Sequence, residues 1–323
     1  MRWKNALRFR LTIGMSTFAT SNPWNEWNTL FAQSWMKAIL LGREGDPEVK
    51  WTIATVTFRY HLHSYREIIR FAEECGSDGL ELWEPHWLRH RSDIRQFASA
   101  FPIHAMSAYL DLTDFSLLGW KQRLLDKLDA CRELGIPVLR LFSGTLSSSL
   151  AVERDWEQWF RRIEGINRVA EPYGVQVAFE THPGTLLDRA AGVDRFCQAI
   201  SRNGWQQIGI NFDAYHVWEF GVNPQSVLDE WHPYIRHVHV KNAAIRTKQF
   251  AMSNVYHPSG CFDELRPLGE GQVCIRTVME GLCRYRYKDA VTLEWFGLPD
   301  GTLLKSEIQF LRELTANYKQ EVS

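Results

Sequence analysis

From Trp51 onward the chain alternates between short runs rich in apolar and β-branched residues and longer amphipathic stretches. Each short run predicts a strand, and the stretch that follows it has helical character. The eight predicted strands are Trp51–Phe58, Gly79–Trp83, Ile103–Leu110, Val138–Gly144, Val175–His182, Ile208–His216, Ile235–Asn242 and Ala290–Gly297. Such alternation gives a parallel sheet covered by helices. Eight consecutive units, without a glycine-rich dinucleotide motif after the first strand, favour a closed (β/α)8 TIM barrel, an α/β fold, over an open sheet.

Local signals support individual helices within this alternation. Ser64, followed three residues later by Glu67, predicts a capping box at the start of the first helix, and Gly76 is placed to end it. Further helices are predicted at Lys121–Leu134, Glu153–Tyr173 and Leu303–Tyr318, with a shorter one near Pro224–Trp231.

The length of the chain fits one barrel with an extension. A barrel of this kind takes roughly 250 residues, so residues 51–323 are predicted to form a single catalytic domain. Residues 1–50 are predicted to be an N-terminal extension, since four of their first ten residues are basic and they carry four tryptophans without a helical or strand period.

Charge and composition narrow the classes of function. Lys and Arg number 37 against 38 Asp and Glu, a net charge of −1, which argues against a protein that grips nucleic acid through many phosphates. No run of 18 apolar residues predicts a membrane span. The six cysteines are scattered without a Cys-x-x-Cys pair, which favours reduced, mostly buried thiols. A cytoplasmic protein that acts on a small molecule is the resulting expectation.

The last four predicted strands carry polar residues on the face that should fill the barrel. Alternate strand residues point inward, where bulky apolar side chains are usual. On each of these strands the inward polar residue nearest the C-terminal end is, in chain order, Glu180, Asp213, His239 and Glu294. The ends of adjacent parallel strands meet at one mouth of the barrel, so these four side chains are expected to lie together.

Three carboxylates and an imidazole in one partly desolvated place repel one another unless a positive charge neutralises them. A divalent cation does so directly. Oxygen-rich ligation with one nitrogen suits Mn²⁺, Mg²⁺ or Co²⁺ better than the sulfur-rich sites of structural zinc. We therefore predict one divalent metal ion, with Mn²⁺ first and Mg²⁺ or Co²⁺ as alternatives. Any one of these residues alone would more often be a cap, an ion-pair partner or a core histidine.

Longer motifs around these residues resemble a known superfamily. They are Phe179-Glu180-Thr181-His182, Asn211-Phe212-Asp213-Ala214-Tyr215-His216, His237-Val238-His239-Val240-Lys241-Asn242 and Leu293-Glu294-Trp295. Over roughly residues 51–320 the chain resembles the xylose-isomerase-like barrels, in their sugar phosphate isomerase/epimerase branch. Glu180-Thr181-His182-Pro183 and Leu293-Glu294-Trp295-Phe296-Gly297 are more specific, and are similar to metal-dependent 3-dehydroshikimate dehydratases.

This resemblance implies dehydration of 3-dehydroshikimate to 3,4-dihydroxybenzoate (protocatechuate) through an enolate that a divalent metal stabilises. His182, two residues beyond Glu180, is expected to be the general base, because a neutral imidazole suits α-proton abstraction near pH 7. Lys241 is expected to hold the developing oxyanion or protonate the leaving hydroxyl. His216 is expected to orient the substrate or support a ligand.

Substrate binding calls for an arginine, because the implied substrate carries a carboxylate. Arg140, in the fourth predicted strand, is expected to clamp that group, with an internal ion pair to Glu81 as the structural alternative. Tyr109, Tyr256 and Trp295 are expected to close the pocket, although aromatic residues at strand ends more often only pack.

Three other functions remain open. A ketose 3-epimerase or sugar phosphate isomerase on the same barrel would use two carboxylates, Glu180 and Glu294, as acid and base, and would not need His182 and Lys241. A repair endonuclease should bring more metal ligands and a basic surface. A binding module without catalysis would not need the full set of polar residues. A homodimer is implied only by the resemblance.

Overall fold

The computed structural model describes residues 49–61, 64–246, 248–257 and 259–322. Eight parallel strands close into a barrel in chain order. They are β1 Lys50–Ala54, β2 Gly79–Trp83, β3 Ile103–Ser107, β4 Val138–Leu141, β5 Gln176–Glu180, β6 Ile208–Asp213, β7 Ile235–Val240 and β8 Ala290–Leu293. The predicted (β/α)8 barrel is confirmed. The predicted extension lies outside the described residues except for its last two, the second of which opens β1.

A helix follows each barrel strand. The main ones are α1 Tyr65–Glu74, α2 Arg91–Phe97, α3 Trp120–Leu134, α4 Glu153–Ala170, α5 Ala190–Asn203, α6 Pro224–Trp231, α7 Ile275–Arg284 and α8 Gly301–Val322. The predicted capping box is present, since the Ser64 hydroxyl accepts from the Glu67 N–H and the Glu67 carboxylate accepts from the Ser64 N–H. Of the helices within the described ranges, none combines the length and apolar character that crossing a membrane requires.

The apolar core lies between the strands and the helices. Trp159 of α4 is fully buried, with its ring centroid 5.7 Å from that of Phe179 on β5 and 4.9 Å from that of Phe196 on α5. Burial of such rings against outward-facing strand residues supplies much of the free energy of folding. All six cysteines are free, and three of them (Cys75, Cys131 and Cys197) are buried, so the expectation of mostly buried thiols holds for only half of them.

The inside of the barrel is unusually polar. A small apolar patch of Ala105, Val138 and Ala178 fills its lower part. Above and beside it, Thr52 and Thr292 share a hydrogen bond of 2.6 Å, and the Thr292 hydroxyl lies 3.0 Å from Nε2 of His237. Barrel interiors usually hold layers of branched apolar residues, so this buried network is a departure that points to function.

Most predicted strands run past the observed ends. The sequence from Thr55 to Phe58 forms a 3₁₀ turn rather than the end of β1, and β6 gives way at Ala214 to a short helix, Ala214–Glu219. The cause is the same in both places. Residues beyond the last paired position leave the sheet to form the upper loops, although their apolar character continues the strand pattern.

Candidate metal centre and active site

The four residues predicted as metal ligands meet at the carboxyl end of the barrel. Glu180 ends β5, Asp213 ends β6, His239 lies near the end of β7 and Glu294 follows β8. One ligand atom from each lies within 4.8 Å of the others, and all four side chains are buried. Nδ1 of His239 is 3.6 Å from Oε2 of Glu294 and 3.8 Å from oxygens of Glu180 and Asp213.

These separations suit a single ion. Oxygen and nitrogen atoms bound at about 2.1 Å on opposite sides of one cation lie about 4.2 Å apart, close to the spread observed. Burial raises the pKa of Asp213 to about 6, with Glu180 and Glu294 adding to the rise even though Lys241 opposes it. Lys241 and Arg140 therefore do not fully neutralise the three carboxylates. Three carboxylate groups and one imidazole are a donor set that fits a divalent cation.

Two cations of the protein partly balance the cluster. The Lys241 ammonium contacts Asp213 and lies 2.6 Å from Oε2 of Glu294. Burial alone would lower the pKa of Lys241, but Asp213 and Glu294 raise it above its ordinary range, so the side chain is charged. Arg140 places Nε 2.9 Å from Oε2 of Glu180 and 4.0 Å from Oε1 of Glu81.

The Arg140 guanidinium is buried but poorly hydrogen-bonded. Nε is close to the Glu180 carboxylate, but the angle at its N–H does not allow a hydrogen bond. Neither Nε nor Nη1 has a hydrogen-bond partner among the residues that the structure describes. The guanidinium carbon lies 4.5 Å from the centre of the Phe142 ring. The predicted clamp and the alternative ion pair with Glu81 are thus both compatible with its position, and the closer partner is Glu180.

His182 has one ring nitrogen free to accept a proton. Its Nδ1 donates to the carbonyl of Pro183 at 2.8 Å, because a carbonyl oxygen only accepts, and Nε2 is left with its lone pair. Burial lowers the pKa of His182 below its ordinary value, although Glu180 opposes the shift. The imidazole is therefore neutral near pH 7, as the sequence interpretation requires.

His216 is held by two acidic neighbours. Nδ1 lies 2.8 Å from Oε2 of Glu219, and the backbone N–H of His216 donates to Oδ1 of Asp213 at 3.0 Å. Its ring centroid is 4.6 Å from that of His182. Burial raises the pKa of Glu219 to about 7 and lowers that of His216 well below its ordinary value. The His216 side chain is thus a neutral ring that packs beside His182 at the edge of the site.

Glu81 supports the cluster from below and was not predicted as part of the site. Its Oε2 accepts from Nε2 of His239 at 2.7 Å and from Nε2 of His237 at 2.8 Å. The bond to His239 turns Nδ1 of that ring toward the three carboxylates. The position of Glu81 on the inward face of β2 was readable from strand alternation, but its two imidazole partners on β7 were not.

A segment between β7 and β8, residues 248–257, covers the site, and we refer to it as the cover segment. Phe250, Met252, Val255 and Tyr256 of this segment line the cavity together with Phe142 and Phe296. The free space that remains is about 20 Å³, room for about one water molecule. The position of the cover segment in this structure therefore leaves little room for a ligand.

The predicted aromatic residues take different positions. The hydroxyls of Tyr109 and Tyr256 contact each other, and Nε1 of Trp83 donates to the Tyr109 hydroxyl at 2.8 Å. Of the three predicted residues, Tyr256 lines the cavity, whereas Tyr109 and Trp295 do not. Nε1 of Trp295 donates to the carbonyl of Leu298 at 3.0 Å. Strand alternation carries the signal that was missed, since Phe296 shares the inward face of Glu294 and Trp295 does not.

The sequence of this chain is similar to those of known proteins. A sequence profile described as "Xylose isomerase-like TIM barrel" matches residues 69–314. The chain is 28% identical to the 3-dehydroshikimate dehydratase of Bacillus anthracis over 282 residues, which is 81% of this chain and 96% of that protein. A shorter match, 34% identical over 92 residues, is to an inosose dehydratase of Klebsiella pneumoniae and covers 27% of this chain and 29% of the relative.

Solved structures agree on the fold. The probable 3-DHS dehydratase AsbF of Bacillus anthracis, involved in petrobactin synthesis, aligns with a TM-score of 0.74 and 26% identity, over 82% of this chain and 99% of that one. The zinc-bound IOLI protein aligns with a TM-score of 0.64 over 84% of this chain and 98% of its own, at 17% identity, which supports the barrel only.

Proposed function

Since this chain belongs to the xylose isomerase-like TIM barrel family, and is a hydro-lyase by its similarity to dehydratases, we propose that it converts 3-dehydroshikimate to 3,4-dihydroxybenzoate and water in a metal-dependent reaction. One observation carries the substrate assignment. A neutral His182, a charged Lys241 and an under-bonded Arg140 surround a single small cavity beside the four-ligand cluster. A base, a proton donor and a carboxylate-binding cation are what this substrate requires.

Binding would begin at Arg140. The substrate carboxylate accepts hydrogen bonds from the guanidinium donors that lack protein partners, which compensates the cost of burying them. The ring then lies under the aromatic side chains of Phe142, Phe250 and Phe296, which exclude water. Tyr256 and Tyr109 close the side where their hydroxyls meet.

Proton transfer follows from the two ring-facing groups. Nε2 of His182 removes the proton α to the ketone, and electrons move to the keto oxygen to form an enolate. The Lys241 ammonium gives a proton to the β hydroxyl as it leaves, so one water is lost and the carbon ring then tautomerises to the aromatic product. The reaction is redox-neutral and needs no oxidant.

A divalent ion held by Glu180, Asp213, His239 and Glu294 would supply Lewis-acid stabilisation of the enolate charge, an effect worth several kcal/mol. The protein's own part is to hold these ligands in register. Glu81 does this for His239, and the backbone N–H of His216 does it for Asp213.

The test follows absorbance of the aromatic product. Purified protein loaded with Mn²⁺ is mixed with 3-dehydroshikimate, and EDTA-treated protein serves as the control. Growth of a catechol band in the loaded sample, absent after chelation and restored by Mn²⁺, is the expected result. A flat trace with metal shown to be bound would overturn the assignment and favour the ketose 3-epimerase alternative.

The remaining expectations are proposals of the same kind. We propose Mn²⁺ over Mg²⁺ and Co²⁺, a homodimer, a cytoplasmic location and no nucleic acid partner. Activity ranked across the three metals tests the first, and the molar mass of the full chain in solution tests the second. Fractionation of the source cell and a titration with duplex DNA test the other two.

A further inference from the structure

A second cavity opens at the amino end of the barrel, where the strands begin. Its free volume is about 180 Å³, larger than the space left in the active site. Lys50, His104, Arg236, His237, Lys288 and Asp289 are among the residues that line it. We call it the basal cavity. This end of a barrel usually serves stability alone, so a polar cavity here requires an explanation.

Two irregularities in the sheet place side chains at this cavity. Between β2 and β3, Leu80 pairs with Ile103 but Glu81 pairs with Ala105, so His104 is an extra residue. Between β6 and β7, Ile210 pairs with Ile235 but Asn211 pairs with His237, so Arg236 is extra. Such bulges re-aim a side chain and bend the strand, and they recur at barrel rims beside functional sites.

Each bulge residue lies across a glycine of the neighbouring strand. A Cβ atom on Gly79 would come within 2.6 Å of the His104 ring, and one on Gly209 within 2.4 Å of Cγ of Arg236. Backbone oxygens lie equally close, at 2.6 Å and 2.4 Å respectively. Only glycine leaves room for these arrangements. The same device thus occurs twice, on separate strands, and both copies lead to the one cavity.

The walls carry excess positive charge. Lys50 and Lys288 are exposed, and neither ammonium has an ion-pair partner within the described ranges. Arg236 donates to Oε1 of Gln176 at 3.0 Å and to the carbonyl of Pro233 at 2.9 Å, both neutral acceptors. Among the described residues that line the cavity, Asp289 is the one carboxylate. Three cations against one carboxylate in a concave site attract a small anion.

One of the residues that line the basal cavity, His237, has a buried ring nitrogen without a hydrogen-bond partner among the described residues. Nε2 of His237 donates to Glu81, so in the neutral ring Nδ1 carries the lone pair. His237 is fully buried, and its Nδ1 has no partner in the part of the chain that the structure describes. A buried acceptor left unpaired costs free energy unless a ligand or water donates to it.

We propose that the basal cavity binds a small oxyanion that carries a hydroxyl hydrogen, with hydrogen phosphate as its simplest member. The oxygens of the anion face Lys50, Lys288 and Arg236, and its hydroxyl donates to Nδ1 of His237. A hydroxycarboxylate offers the same two features. Sulfate matches the size and charge of hydrogen phosphate but has no proton to donate at neutral pH.

Calorimetric titration of the full chain with inorganic phosphate and with sulfate tests the proposal. The key variant is Lys50→Glu/Lys288→Glu, and the matched control is Lys305→Glu, an exposed lysine of α8 outside this cavity. We expect phosphate to bind at least about tenfold more weakly to the double variant than to the wild type or the control. Unchanged phosphate affinity in the double variant would overturn the proposal.

A single substitution and a comparison of two anions test the proposal further. If the double variant fails to fold, Lys288→Gln alone should still weaken phosphate binding by about threefold, and unchanged affinity would count against the cavity. In the wild type, phosphate should bind more tightly than sulfate. Equal affinity for the two anions would refute the assignment of a hydroxyl donor to His237.

Discussion

The two ends of the barrel differ in whether their charged side chains are paired. At the carboxyl end, the Lys241 ammonium touches two carboxylates and Arg140 lies against Glu180, in a site with about 20 Å³ of free space. At the amino end, Lys50 and Lys288 have no ion-pair partner within the described residues and the cavity is about 180 Å³. Paired, enclosed charges are positioned in advance for a reaction, whereas unpaired charges around open space suit reversible capture of an ion.

Removing one charge of the predicted ligand set at the carboxyl end should have the broadest effect, on bound metal as well as on turnover. Asp213→Asn keeps the shape of the side chain but removes a negative charge from the cluster, so bound metal and turnover should both fall, turnover by about 10³-fold. Metal content by mass spectrometry and the absorbance assay measure the two effects. A variant that kept wild-type turnover would show that Asp213 is not part of the metal centre.

His182→Ala should separate proton transfer from metal binding. Loss of the base should lower kcat by about 10² to 10⁴-fold while metal content stays unchanged, because the imidazole is not among the four proposed ligands. His232→Ala, which removes an imidazole near the amino end, is the control and should keep its turnover. If His182→Ala also lost the metal, His182 would belong to the ligand set instead.

Glu81 lies between the two ends, and its substitution should have an intermediate effect. Glu81→Gln removes the charge that fixes both His237 and His239, so affinity for Mn²⁺ should fall by about 10 to 100-fold. Saturating metal should restore most of kcat. A kcat defect that persists at saturation would mean that Glu81 acts on the reaction rather than on metal binding.

The smallest effect on turnover is expected for Glu307, a buried residue of α8 that should change the pH dependence of stability instead. Burial raises the pKa of Glu307 to about 7, and its Oε2 accepts from the backbone N–H of Leu268 at 2.6 Å. Its unfolded pKa is lower, so the folded state binds the proton more tightly, and this stability is lost as pH rises through 7. The free energy of unfolding should drop by up to about 3 kcal/mol between roughly pH 4.5 and 7.5 on this account.

Glu307→Gln should remove this part of the slope in chemical denaturation at several pH values. Lys305→Gln, on the exposed side of the same helix, is the matched control and should leave the slope unchanged. Identical slopes in the wild type and Glu307→Gln would show that the carboxyl does not titrate in this range.

Strand alternation was sufficient to predict which strand residues meet at the carboxyl end of the barrel. Because inward and outward positions strictly alternate, the inward polar residues of four strands could be read directly, and the structure brings Glu180, Asp213, His239 and Glu294 together. The roles assigned to these residues and to His182 and Lys241 stay predictions. Arg140 could be assigned to the interior, but whether it faces Glu81 or Glu180 depends on side-chain conformations that alternation does not determine.

The amino end and the cover segment could not be predicted in the same way. Bulges at His104 and Arg236 break the register that alternation assumes, so the positions of these side chains follow only from the pairing of whole strands. Phe250 and Met252 belong to a loop without a period, and their contact with the cavity depends on where that loop folds back. The capping box of α1, by contrast, depends only on residues that are close in sequence, so Ser64 and Glu67 were enough to predict it.

One wall of the cavity and the four predicted metal ligands come from separate stretches of this chain. Four of the residues that line the cavity come from the cover segment, while the ligands lie at strand ends. The loop that holds this segment is fastened at its base by a two-residue antiparallel pair, Asn242–Ala243 with Leu265–Arg266. Mutations between those anchors are therefore expected to alter this wall of the cavity and to leave the four predicted ligands in place. Descendants of such a barrel can therefore reshape one wall of the cavity through one short stretch while they inherit the residues at the strand ends.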